Sequence, residues 1–124
     1  MLELDWTGNV IWEYWHPLVH HDFERLPNGN TLAVFYDPLP ADFATRVAGG
    51  RGPTPPEMFG DTVREIVPSG DIVTEWRLWE SLNPEKDAIC ALEGRHQWLH
   101  QNALNLTAEG DLLVSFRQID TIGI

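Results

Sequence analysis

Apolar and polar residues alternate in short runs along this chain, and most of the runs meet at glycine-bearing turns. A period of two with β-branched and aromatic residues predicts strands. Residues 2–6 and 9–15 form one such pair around Thr7-Gly8-Asn9, and residues 19–26 and 31–36 a second around Pro27-Asn28-Gly29-Asn30, where Asn-Gly suits the positive φ of a tight hairpin. Residues 62–67 and 71–77 repeat the first pair. Residues 98–106 and 111–117 repeat the second, and a further strand begins near Thr121. Residues 78–89 predict helical turns. The segment 37–60, with Pro38, Pro40, Pro53, Pro55 and Pro56 among its residues, excludes regular central strands and reads as a long connection on one rim.

The repetition is specific. Glu3, Gly8, Val10 and Glu13 recur sixty-two positions on as Glu65, Gly70, Ile72 and Glu75, and Leu26-Pro-Asn-Gly29 is echoed by Thr107-Ala-Glu-Gly110. Two hairpins per unit at such a period point to β-propeller blades. The expected fold is therefore all-β: about two four-stranded antiparallel blades in one partial propeller domain over 1–124, the first repeat spanning 1–60 with its rim loop at 37–60 and the second spanning 61–124. Because propellers close with about four to eight blades, the chain reads either as a fragment or as one subunit of a ring, three copies of which would make six blades. The apolar run Asp120–Ile124 favours the fragment.

Charge narrows the partners. Nineteen acidic residues against eight basic ones give a net charge of −11, with Lys86 the sole lysine, which excludes nucleic acid and anionic membrane surfaces as partners. No apolar stretch approaches the roughly 18 residues of a membrane helix. Cys90 stands alone and forms no internal disulfide. The acidic start Met1-Leu-Glu-Leu-Asp has none of the parts of a signal peptide, and both periplasm and cytoplasm stay open.

Three groups of residues carry candidate chemistry. His20-His21-Asp22 precede the Asn-Gly turn, where alternation puts His20 and Asp22 on one face and His21 with Phe23 on the other. His100 and Asn102 occupy the corresponding place in the second repeat and share a face by the same period. Ser115 and Arg117 lie together on the strand leaving that turn. An arginine in an apolar strand requires an anion or a carboxylate, so Arg117 meets either a bound sulfate, phosphate or carboxylate, or a salt-bridge partner such as Asp120 or Glu109. His96 and His100 have the i, i+4 spacing of a zinc pair but lack the neighbouring glutamate and further soft ligands, so no metal is expected.

In order, Glu-Leu-Asp-Trp-x-Gly-x-Val-x-Trp-Glu-Tyr (3–14), His-His-Asp-Phe-x-x-Leu-Pro-Asn-Gly-Asn-Thr-Leu (20–32), Glu-x-x-x-x-Gly-x-x-x-x-Glu-Trp (65–76), Trp-x-His-x-Asn (98–102) and Leu-Val-Ser-x-Arg (113–117) resemble the arylsulfotransferase family over nearly the whole chain outside the rim segment. The resemblance implies a six-bladed propeller that moves a sulfuryl group from an aryl sulfate to a phenol through a sulfohistidine, with no metal or nucleotide cofactor. It also implies that one of His20 and His21, together with His100, Asn102 and Arg117, lines the central sulfate site, with Asp22 and Ser115 beside them. The covalent histidine falls in a later blade, which gives His100 a binding or charge-stabilising part. The rival expectation is a non-catalytic propeller that binds a ligand or a protein across its channel.

Overall fold

In the computed structural model, which describes Met1–Ile124, eleven strands and one short helix follow one another. They are β1 (Leu2–Leu4), β2 (Val10–Glu13), β3 (Val19–Arg25), β4 (Thr31–Pro38), α1 (Ala41–Arg46), β5 (Gly49–Arg51), β6 (Phe59–Ile66), β7 (Ile72–Arg77), β8 (Ile89–Gly94), β9 (Gln101–Leu106), β10 (Leu112–Phe116) and β11 (Thr121–Gly123), with a 3-10 turn at Leu78–Ser81. The chain is all-β in character, as the alternation predicts. Its central element is a four-stranded antiparallel sheet in the order β3-β4-β6-β7. The expected division between repeats at residue 60 falls inside this sheet, where β4 pairs with β6 from Thr31↔Ile66 to Pro38↔Phe59.

Burial explains the order. Thr31–Phe35 of β4 and Gly60–Val63 of β6 are buried on both faces and take the middle, while the partly exposed β3 and β7 take the edges. Alternate residues of β4 then serve two separate cores. Leu32 and Val34 join the larger cluster, with Val63, Trp79, Trp98, Leu99, Leu104, Val114 and Phe116. Ala33 and Phe35 face the other way with Ile66, against Met1 and Tyr14 of the β1–β2 end. Successive sheets thus stack face to face: the β1–β2 hairpin, the four-stranded sheet, then the antiparallel β9-β10-β11 sheet.

The four glycine turns are built alike. In each, a residue donates its amide to the carbonyl four positions on and accepts from the glycine three positions on: Asp5 with Asn9 and Gly8, Leu26 with Asn30 and Gly29, Val67 with Asp71 and Gly70, Thr107 with Asp111 and Gly110. All four glycines have φ between 87° and 96°, a region costly for any other residue.

Two expectations change. The segment 37–60 is part of the interior and not only a rim connection: α1 carries Phe43 and Ala44 inward, Phe43 lies 5.1 Å from Trp79 and 5.3 Å from Trp98, and Leu39, Val47 and Met58 are buried. β5 pairs in parallel with β8, a strand whose mixed run Ile-Cys-Ala-Leu-Glu-Gly gives little alternation to read. The strand expected from residue 98 begins at Gln101 instead, because His100 adopts φ 54° and bends the chain there.

Candidate functional site

His20 and His21 were expected on opposite faces of β3. They meet on one side because β3 is bulged: Val19 pairs with Phe35 and Phe23 with Ala33, so four steps on β3 match two on β4. Inside the bulge His21 takes φ 54°, the value His100 also adopts. These two left-handed histidines face each other across the gap between sheets, with Nε2 atoms 3.2 Å apart and rings edge to face at 4.6 Å. Residues 79 positions apart in sequence are thereby joined.

His20 continues the path inward. Its Nδ1 lies 2.9 Å from Nδ1 of His21, and its Nε2 lies 2.9 Å from Oδ1 of Asp61 on β6. The side chains of His20 and Asp61 are 8% and 1% exposed, and neither of the two facing atoms has another partner, so each depends on the other. The second Asp61 oxygen accepts the backbone amide of Gln101 at 3.2 Å. Tyr36 stacks on the His20 ring at 3.6 Å and 5°. At the outer end His100 Nδ1 contacts the Gln97 side chain, which also reaches the Tyr36 hydroxyl. Asp61, Tyr36 and Gln97 escaped the sequence analysis; the pairing that brings them in is non-local, and nothing in their own spacing marks them.

The electrostatics favour a neutral ring at the centre. Burial pushes the His100 pKa down, and the neighbouring His21 and the Arg117 charge push it further the same way, with Asp61 opposing. Burial likewise raises the Tyr36 pKa, against a hydrogen bond from Gln97 and with Asp61 adding to the rise.

The other expected residues lie apart from this cluster or are engaged in structure. Asn102, Ser115 and Arg117 line a shallow recess with Asp120 and Ile122, which contains none of the histidines. Ser115 donates to Asn102 Oδ1 at 2.7 Å. Arg117 is exposed and pairs with Glu93 on β8 at 2.5 Å, in place of the expected Asp120 or Glu109. Asp22 spends both carboxylate oxygens on backbone amides, of Phe23 at 3.0 Å and Leu104 at 2.9 Å, and so ties β3 to β9. The buried arginine is Arg95, not Arg117: it is 9% exposed and donates to the Val47 carbonyl at 2.6 Å, to the Gly49 carbonyl and to Thr54 Oγ1.

A groove of about 850 Å³ lies elsewhere. Leu26, Leu32, Leu78, Leu106, Leu112 and Val114 line it, and Glu65, Glu75, Glu80 and Asp111 outnumber its single arginine, Arg77. An acid-rimmed apolar cleft repels anions. No cluster of three or more His, Cys, Asp or Glu side chains is disposed to hold a metal ion.

Comparison with known families gives a match to the model described as Arylsulfotransferase (ASST) over residues 1–123. Neither the curated proteins nor the solved structures contain a match to the chain.

Proposed function

The chain belongs to the arylsulfotransferase family, and from that premise we propose that its histidine cluster serves the transfer of a sulfuryl group from an aryl sulfate to a phenolic acceptor by way of a sulfohistidine. The observation that carries the reading is the meeting of His20, His21 and His100, which the fold gathers from β3 and from the bend before β9. Sulfuryl transfer builds negative charge on the non-bridging oxygens and needs N–H donors or cations aimed at them. Opening of the solvent-facing contact between the Nε2 atoms of His21 and His100 would free such donors for an ester that enters between them, and Arg117 stands near enough to depress the His100 pKa. Asn102 and Ser115 extend the polar wall beside Arg117.

All six ring nitrogens of the three histidines already have partners. A ring without a free nitrogen is a poor attacking group, so the covalent histidine is a further one. It comes from additional blades around the same axis, in this polypeptide or in other copies of it. The four-stranded sheet and its stacked neighbours form the corresponding part of a propeller, and the substrate partners are small: an aryl sulfate and a phenol.

The test is turnover of p-nitrophenyl sulfate with and without phenol, by the chain in whatever assembly it forms in solution. Release of p-nitrophenol that depends on phenol, with a sulfur label trapped on a histidine, is the expected result. Tight binding of the ester with no phenol-dependent release would replace transfer with a binding role.

A further inference from the structure

We propose that Thr54 is a phosphorylation site whose phosphate docks on the buried guanidinium of Arg95. Charge marks the place first. Of the eight basic residues, Arg25, Arg46, Arg64, Arg77 and Arg117 pair with carboxylates, which leaves Arg51, Lys86 and Arg95 without one. Two of these three share a corner: Arg51 ends β5, and Arg95 reaches beneath the segment around it. Arg95 is 9% exposed, yet in a chain of net charge −11 its guanidinium meets only two carbonyls and a hydroxyl. A guanidinium has five N–H donors. Val47, Gly49 and Thr54 each take one, so two are left for an anion.

Thr54 is placed to supply that anion. Residues 52–57 belong to no helix or strand and exchange no backbone hydrogen bond, and Pro53, Pro55 and Pro56 have no N–H to give. Their one hydrogen bond runs from Arg95 Nη2 to Thr54 Oγ1, at 3.1 Å. Thr54 is exposed, and Thr54-Pro55 is the sole Ser/Thr-Pro step in the chain. An exposed threonine in an irregular stretch, followed by proline, suits the substrate groove of a proline-directed protein kinase. Glu57 is the only acid from residue 47 to residue 57, so little like charge opposes a phosphate there.

The co-reactant is ATP, held by that kinase. Thr54 Oγ1 forms a bond to the γ-phosphorus as the bond from that phosphorus to the bridging oxygen breaks. ADP leaves with the electron pair, and the hydroxyl proton passes to the catalytic carboxylate of the kinase. The product carries about two negative charges and three strong acceptor oxygens, on the atom to which Arg95 already donates. One bond to a neutral hydroxyl gives way to charge-assisted bonds with a buried cation. The loop 52–57, fastened until then by a single hydroxyl, is clamped to the end of β8, and the uncompensated charge of Arg95 gains its counter-ion.

Two measurements on the full chain test this. Incubated folded with ATP and a proline-directed kinase, the chain should take up one phosphate, which peptide mass spectrometry places on Thr54, and Thr54→Val should take up none. Refusal of the folded chain, or phosphorylation of Thr54 only after unfolding in urea, would overturn the proposal. The ³¹P resonance of the product then reports the docking. Phosphothreonine ordinarily loses its second proton near pH 6; beside Arg95 the midpoint should fall by about one unit, a tenfold shift toward the dianion. It should return to about 6 when the labelled chain is unfolded in urea and in folded Arg95→Met. A midpoint near 6 in the folded native chain would mean a phosphate free in solvent and would also overturn the proposal. The unfolded reference keeps the test decisive even where Arg95→Met fails to fold.

Discussion

Arg95 is the most informative residue to perturb outside the histidine cluster. It sits just past β8 with its guanidinium turned under the segment 47–54, and no carboxylate neutralises it. Of its three acceptors only the Val47 carbonyl is bonded in a fully buried setting. Arg95→Met keeps the aliphatic stem that packs beside Gly50 and removes the donors. The loss is one buried charge-assisted bond and two weaker ones nearer solvent, about 2 kcal/mol in all. At this chain length that lowers Tm by about 8 °C. The cost is local, so opening of the 47–54 segment should rise about thirtyfold. Arg46 and Arg51 flank or lie within that segment, and trypsin therefore reads the opening directly. Arg95→Lys, which keeps the charge and loses the fork, should fall between. A Tm change below about 2 °C, under half a kcal/mol by the same scaling, would refute the reasoning. So would destabilisation without faster cleavage after Arg46 and Arg51.

Other perturbations test other parts of the fold. Gly60→Ala would place a Cβ 2.7 Å from Leu39 Cδ2 and 2.9 Å from Trp79 Cδ1; overpacking between β6 and the segment before α1 should cost about 1–3 kcal/mol in urea unfolding. At His21, with φ 54°, the glycine variant should be more stable than the alanine variant by about 1 kcal/mol, and equal stability would mean that the bulge is not left-handed in solution. Glu75 has its pKa lowered by hydrogen bonding to Arg64, whose Nε lies 2.7 Å away. A depressed folded pKa gives stability that is present above the ordinary glutamate value of 4.5 and lost as pH falls through the folded value. Arg64→Met should therefore flatten the acid limb of the stability profile below pH 4.5, measured by thermal unfolding across pH.

The parts of the fold legible in the sequence are those fixed locally. Gly8, Gly29, Gly70 and Gly110 each mark a turn, and each forms one because positive φ is a property of the residue itself. The flanking alternation identified the paired strands around them. Alternation did not tell which hairpins share a sheet: β4 pairs with β6 across twenty residues of intervening chain, a choice made by burial of Thr31–Phe35 against Gly60–Val63. The helix α1 was missed because six residues among prolines carry too little periodicity to read, and it holds its place through Phe43 and Ala44 in the core.

The candidate site was half legible for a different reason. His20, His21 and His100 stand out as residue types before glycine turns, but a strict period of two separates the first two onto opposite faces. Period-two reasoning holds only while both strands advance together, and at β3 they do not. The extra residues of the bulge, and the left-handed His21 within it, cancel the alternation and bring both rings to one side. His100 shows the same departure independently, at the same φ, just before β9. Left-handed backbone at a β-carbon-bearing residue costs about 1–2 kcal/mol; besides Asp120, a residue type that tolerates it better, it is incurred at the two residues whose Nε2 atoms meet. A scaffold that merely packed its strands would place asparagine or glycine at such positions. Two histidines held there, in contact, tie the strain to the rings, which is the relation expected when backbone geometry serves a site.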